Sequence, residues 1–340
     1  MSDYFSIFHG WMIPISRATE DYGLDFNQVL EHCAIKKDDF RDHESRLSAE
    51  KIALIIDYCN QKTNKHDFAI GIAKNFHPGM FHALGYSMMS SSTLKDALLR
   101  IARYKKVVSN TCELHVTQDL STVKMQMDVK QYEDSKRPIL NHECIICFAA
   151  TLVSFCREAL NSEFNPQALY LNWPKPKGNL DYLNTFFNCE IHFDSPYIVF
   201  EFDASTVNSK LIGGNPLLTQ HHEKMLDEYI TRLDKSDIVQ QVKNNIHELL
   251  DLGTPSQTDI AANIGMSLRS LQRQLHEKNT SFREILEQTR KKLALDYITQ
   301  QHLMFSEIGY LLGFSTVGNF NRAFKRWTNC TPGEYRNSHC

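Results

Sequence analysis

The feature that most constrains this chain is a pattern written twice in its last ninety residues. The first copy, S-Q-T-D-I-A-A-N-I-G-M-S-L-R-S-L-Q-R-Q-L-H-E-K, runs from Ser256 to Lys278. The second, M-F-S-E-I-G-Y-L-L-G-F-S-T-V-G-N-F-N-R-A-F-K-R-W, runs from Met304 to Trp327. Each spells a short apolar helix, a glycine, an apolar residue, a serine, and a second helix rich in amide and arginine side chains. The pattern predicts two helix-turn-helix units joined by a helix.

In the first unit, Ser256 and Asp259 make an S-x-x-D capping box. Gly265 permits the left-handed conformation of a tight turn between helices. Ser267 then caps a helix expected to bury Leu268, Leu271 and Leu275 and to show Arg269, Gln272, Arg273 and His276. In the second unit, Ile308, Leu311 and Leu312 are expected to pack and Gly313 to turn. Phe320 and Phe324 face inward, leaving Asn319, Asn321, Arg322, Lys325 and Arg326 outside. Such a face suits base reading, because Arg grips guanine and Asn or Gln grips adenine through paired hydrogen bonds. Between the units, Ser281 opens one helix of about eighteen residues, roughly 27 Å long. A spacer of that size can hold two recognition helices about one duplex turn, ~34 Å, apart.

Upstream the pattern changes. Asp25, Ser48 and Thr93 are placed to cap helices, and His77-Pro78-Gly79 breaks one after Asn75. Residues 111–129 alternate apolar and polar across Asp119-Leu120, as in a hairpin. Pro138 is expected to open a long core helix over Ile139–Asn161. Strands follow at Ala168–Trp173, Glu190–Phe193 and Tyr197–Phe202, with a short helix Leu180–Asn188 between the first two. The Gly213-Gly214-Asn215-Pro216 break begins an amphipathic helix, and Ser236 begins the next. The expected architecture is an α+β domain over 1–203, a linker with an amphipathic helix over 204–236, and an all-α domain over 237–340.

Charge is divided along the same line. The chain of 340 residues carries a net charge of −3. From Asp251 to Cys340 there are eleven Lys and Arg against eight Asp and Glu; subtraction from the totals of 37 and 40 leaves 26 against 32 upstream. A mildly basic end on an acidic body fits a localised nucleic-acid surface. No apolar run approaches the ~18 residues of a membrane span. The N-terminus lacks a signal-peptide pattern, and nine scattered cysteines fit a reducing compartment. These features predict a cytoplasmic protein.

At L-G-F-S-x-x-x-N-F-N-R-A-F-K-R-W-x-x-x-x-P-G-E-Y-R (Leu312–Arg336) and S-x-R-S-L-Q-R-Q-L (Ser267–Leu275), the C-terminal module resembles the AraC/XylS family of bacterial transcription regulators. The resemblance implies base or groove contacts by Arg269, Gln272 and Arg273. In the second unit it implies contacts by Gly318, Asn319, Asn321 and Arg322, with Lys325 near phosphates. Two departures stand out. Gly309 replaces the usual Ala, at roughly 1 kcal/mol of helix propensity, and Gly318 offers no side chain at a usual contact position. The stretch G-M-F-H-A-L-G-Y-S-M-M-S-S-S-T-L-K-D-A-L-L-R-I-A-R-Y (Gly79–Tyr104) resembles the arabinose-binding-type N-terminal domain of one branch, which includes arginine and ornithine regulators and some virulence regulators. The resemblance implies an effector-sensing and dimerisation domain.

The expectation is therefore a sequence-specific DNA-binding regulator, an activator controlled by a small-molecule effector. Its partners would be promoter DNA, RNA polymerase and a second copy of the chain, with no membrane and no cofactor. Once DNA-bound it would associate with the nucleoid. An alternative gates the N-terminal domain by a partner protein or by redox chemistry at Cys144 and Cys147. The effector candidates are Phe81, His82, Tyr86 and Arg103, on an apolar stretch with a few polar groups. No Walker loop, Rossmann fingerprint, G-x-S-x-G or H-E-x-x-H is present. The His66, His77, His82 group lacks metal-site spacing, so neither an enzyme nor a metal site is expected.

Overall fold

Side-chain caps set most of the helix starts. The computed structural model describes residues 5–40, 45–132, 135–278, 280–300 and 302–339. It divides into two units, Ser2–Ile230 and Thr231–Cys340. The first unit opens with strand β1 (Ser6–Phe8), a 3-10 turn His9–Trp11 and helix α1 (Met12–Asp21). The Asp25 carboxylate accepts from the Asn27 N–H and starts α2 (Phe26–His32). After β2 (Arg46–Ser48), the Ser48 hydroxyl accepts from Lys51 N–H and starts α3 (Ala49–Thr63). Helices α4 (Phe68–Lys74) and α5 (His82–Met89) follow. A reciprocal Thr93–Asp96 box then starts α6 (Leu94–Val108).

Strands β3 (Cys112–Gln118) and β4 (Thr122–Val129) form the expected hairpin, its turn held by the Asp119 carboxylate, which accepts from the Ser121 and Thr122 N–H groups. The long helix α7 (His142–Ala159) begins later than Pro138. The backbone at 138–139 is occupied by a bridge from Gln131 to Pro138 and by Ile139 N–H donating to Lys130. Asn141 is the cap instead, accepting from Cys144 N–H at 2.9 Å. Next come β5 (Ala168–Tyr170), α8 (Asp181–Phe187), β6 (Glu190–His192), β7 (Ile198–Asp203), α9 (Ala204–Val207) and α10 (Pro216–Ser236).

The five-stranded sheet has the order β3-β4-β7-β5-β6, antiparallel except for the β5–β6 pair. Its register sets Val123 opposite Phe202 and Met125 opposite Phe200, all four buried. That apolar face meets α7, where Phe148 packs edge-on against Phe200 at 5.9 Å. Helix α7 also packs on α3 and α4. It is apolar on most of its circumference because core lies on several of its sides.

A second, two-stranded sheet pairs β1 with β2. Strands of three residues carry too little periodicity for this pairing to be seen in sequence. Arg46 explains its stability. Its guanidinium donates to Ser6 Oγ at 2.8 Å and to the carbonyls of Val107 at 2.8 Å and Lys106 at 3.3 Å. It thereby satisfies open acceptors at the C-terminal end of α6, where a cation is also favoured by the helix dipole.

The second unit is helical throughout its described residues: α11 (Ile238–Leu249), α12 (Gln257–Asn263), α13 (Leu268–Glu277), α14 (Phe282–Ile298), α15 (Phe305–Leu311), α16 (Val317–Thr328) and α17 (Pro332–His339). The cap of α11 is Asp237, accepting from Gln240 N–H, in place of the expected Ser236. Among the described residues, no helix is long and apolar enough to cross a membrane.

Candidate nucleic-acid interface and interior cavity

Helices α12 and α13 build the first helix-turn-helix. The Ser256 hydroxyl accepts from Asp259 N–H, and the Asp259 carboxylate accepts from Ser256 N–H, at 3.1 Å each. The Ser256 hydroxyl also donates to the Asp259 carboxylate at 2.6 Å, and this bond, followed by the one from the Ser256 N–H, holds the Asp259 carboxyl below its usual range. Gly265 takes φ +76°, as the turn requires. Ser267 caps α13, which buries Leu271 and Leu275. Leu268 is corrected: at the first helical position it is 37% exposed.

The second unit repeats the plan in α15 and α16 with a shifted cap. Gly313 turns at φ +68°, but the cap is Thr316, one residue beyond the serine that the repeat suggests. Ile308, Leu312, Phe320 and Phe324 are buried, whereas Leu311 is 37% exposed, correcting the expected packing. The shift sharpens the comparison of reading faces. Counted from the caps, Leu271 and Leu275 correspond to Phe320 and Phe324. Arg269 then corresponds to Gly318, Gln272 to Asn321, Arg273 to Arg322 and His276 to Lys325.

Arg269, Gln272, Arg273, Gly318, Asn321, Arg322 and Lys325 are exposed and Asn319 is half-buried. Each set lies on the solvent side of one helix. Gln272 donates to Gln257 Oε1 at 2.9 Å, and Arg273 lies 3.9 Å from Glu277. Arg322 is more tightly held: it donates to Asn319 Oδ1 at 2.6 Å, and the Asn319 amide donates to Ser315 Oγ at 3.1 Å. Arg326 is exposed but committed to Glu287 on α14, which also accepts from the Trp327 indole at 3.0 Å.

Two further arginines, missed in sequence, fix the second turn and the connecting helix. Arg290 on α14 donates to the carbonyls of Leu312 at 2.8 Å and Gly313 at 3.0 Å, and lies over the Phe314 ring at 4.4 Å. Arg336 on α17 donates to the carbonyls of Ile298 and Leu303 and covers the Phe305 ring. Gly309 is a close-approach position. A Cβ there would sit 3.3 Å from the Phe320 Cβ, so the missing methyl lets α15 lie tightly on α16.

The N-terminal unit contains a partly open cavity of about 100 Å³ between α3, α5, α6, α7 and the start of the sheet. Of the effector candidates, Phe81 lines it. His82, Tyr86 and Arg103 do not, and their assignment to the pocket is corrected: all three are exposed on outward faces. His82 packs edge-on against Phe8 at 5.3 Å, Tyr86 stacks with His222 of α10 at 5.8 Å, and Arg103 pairs with Asp227 at 3.5 Å. Cys144 and Cys147 line the same cavity, fully buried. Burial pushes the Cys147 thiol up to about 12 and the Cys144 thiol well above its usual range. Protonated and buried, they are poor nucleophiles for redox chemistry.

Two helix-turn-helix units flanking one helix, each with amide and guanidinium side chains on its solvent face, define a double helix-turn-helix DNA-binding protein. The chain belongs to the AraC family of transcription regulators: residues 23–211 match the arabinose-binding domain of AraC transcription regulator, N-terminal, and residues 260–338 match a helix-turn-helix domain. It is similar to the ornithine utilization regulator of Pseudomonas aeruginosa, 26% identical over 96% of each chain. It is also similar to the HTH-type transcriptional regulator VqsM of the same species, 21% identical over 79% of this chain and 83% of the relative. The transcriptional activator NphR of Rhodococcus sp. is 29% identical over 36% of this chain and 37% of its own. The protein is a DNA-binding transcription regulator with an effector-binding-type N-terminal domain, and its family is one of regulators, not enzymes.

Proposed function

We propose that the protein is a transcription activator switched by a small molecule held in its N-terminal unit, acting on promoter DNA as a homodimer and through RNA polymerase in the cytoplasm. The observation that carries this reading is the apolar cavity and what its walls hold on their other side. Helices α5 and α6 contribute Leu84, Met88 and Ile101 to the lining. Outward, the same helices clasp the first part of α10. Ser90 Oγ lies 3.0 Å from Thr219 Oγ1, Arg100 pairs with Glu223 at 2.9 Å, and the Tyr104 hydroxyl donates to Asp227 at 3.0 Å. Helix α10 continues to Ser236, past the division at Ile230. An effector that favours one arrangement of α5 and α6 would bias α10, provided it binds that arrangement better than the alternative. Residues 204–236 then serve as the linker between an effector domain over 1–203 and a DNA-binding domain over 237–340. Of the original effector candidates, Phe81 touches the ligand, while Tyr86 and Arg103 act through α10; His82 has no part in either contact.

On DNA, Arg269, Gln272 and Arg273 read bases in one major groove. Asn319, Asn321 and Arg322 read the next, with the Gly318 backbone close to the groove and Lys325 on phosphate. The activator named among the relatives supports activation. The test is transcription in vitro from genomic fragments selected by the full chain, with RNA polymerase supplied. Increased transcript from those fragments is the expected result; unchanged or reduced transcript overturns activation.

A further inference from the structure

The family description names a sugar, yet the cavity is built for something else. Its walls are almost wholly carbon and sulfur, from Ile52, Phe81, Met88, Ile101, Met127 and Phe155 among others. The polar side chains that reach the lining are mostly engaged with one another or with the rim. Ser109 Oγ and Thr111 Oγ1 lie 2.7 Å apart, and Lys105 is paired with Glu113 at 2.5 Å. Glu113 is also 3.1 Å from Lys130, so Lys105, the charged side chain in the lining, already holds a carboxylate that it shares with a second lysine. One group is left over. Thr151, 5% exposed and in the lining, has a hydroxyl that makes no hydrogen bond to an oxygen or nitrogen among the described residues and has only the weakly bonding Cys147 thiol beside it.

We infer that the cavity binds a small uncharged molecule with an apolar body and a single hydroxyl or carbonyl group, which hydrogen-bonds to Thr151 Oγ1. This rests on the effector reading for its regulatory meaning, not for the binding itself. A pentose would bury a hydroxyl on almost every carbon with one partner available, and an amino acid would bury an ammonium with no carboxylate in the lining and a carboxylate beside a lysine that Glu113 already holds. Both lose more in desolvation than they regain. Size agrees with the chemistry. A cavity of about 100 Å³ is somewhat smaller than the ~150 Å³ apolar cavity known to admit benzene. Met88 and Met127 in its wall are unbranched side chains able to give way to a ring.

Phenol and toluene separate these contributions, being alike in shape and differing in one hydroxyl. The full chain should be titrated with each, and with L-arabinose and L-ornithine, by thermal shift and calorimetry. The expected result is saturable stabilisation by both aromatic probes, with phenol preferred about five- to tenfold, the scale of one hydrogen bond. Thr151→Val should abolish that preference and leave toluene binding intact. Absence of aromatic binding, equal binding of both probes to the unaltered chain, or stabilisation by arabinose or ornithine in their place would overturn the inference. In the last case the effector reading itself survives. Conversely, if phenol binds as described but promoter-DNA affinity and transcription do not respond, the site stands and the effector reading falls.

Discussion

The two helix-turn-helix units share a backbone plan and differ in what surrounds it. The first turn stands open: an added Cβ at Gly265 meets nothing within 4 Å. The second is set into its neighbours, with a Cβ at Gly313 lying 3.0 Å from the backbone of Gly253 and Leu250. Arg290 covers that turn from α14, and Glu287 pins α16 through Arg326 and Trp327. The reading faces differ in the opposite sense. The first helix presents two arginines and a glutamine, whereas the second has glycine at the position matching Arg269, a half-buried asparagine holding Arg322, and Arg326 tied to Glu287. The second unit is the anchored one and the first carries the fuller set of the side chains proposed to read DNA, which on that proposal gives them different shares of stability and specificity.

The sharpest way to break this comparison is a pair of substitutions. Gly313→Ala combines left-handed strain with a backbone collision and should destabilise the C-terminal unit by about 2–4 kcal/mol, against about 1 kcal/mol for Gly265→Ala, where strain acts alone. Equal costs in denaturant unfolding would remove the distinction. A smaller effect comes from acid. The Trp327 indole, and then Arg326, hold the Glu287 carboxyl below its usual 4.5. Because the folded pKa is depressed, the stability contributed is fully present above about pH 4.5 and is lost as pH falls through the lower folded value. Glu287→Gln should flatten that acid loss; an unaltered acid limb would show that this tie contributes nothing. The smallest change belongs to Gly309→Ala. About 1 kcal/mol of helix propensity is opposed by the tight approach to Phe320, leaving a net effect within about 1 kcal/mol of zero. A loss above 2 kcal/mol would mean that the close packing of α15 on α16 dominates.

Much of this was legible in the sequence because its determinants are local. The caps at Asp25, Ser48, Thr93, Ser256 and Ser281 lie within three residues of the groups they bind, and the 111–129 alternation is a feature of neighbouring residues. What failed depended on distant partners. The β1–β2 pair joins residues some forty positions apart and is held by Arg46 reaching α6. Asn141 replaced Pro138 as the helix start because a bridge to Gln131 occupies the intervening chain. Leu268 and Leu311 look apolar and periodic, yet each sits at a helix end where it is only partly covered. At the cavity, composition correctly suggested an apolar stretch near Phe81. Composition does not separate the inward from the outward faces of α5 and α6: Tyr86 and Arg103 face outward, and their partners are His222 and Asp227 on α10. Thr151, midway along an apolar helix, gave no sequence signal.

The most direct test of the unequal division of labour is to measure promoter-DNA affinity and sequence preference for Arg273→Ala and Arg322→Ala side by side at fixed salt. The account predicts that Arg273→Ala loses about 1–3 kcal/mol and relaxes discrimination at its base position, while Arg322→Ala loses less and leaves the preferred sequence recognisable. Unaltered binding by Arg273→Ala, with specificity collapsing in Arg322→Ala, would contradict it.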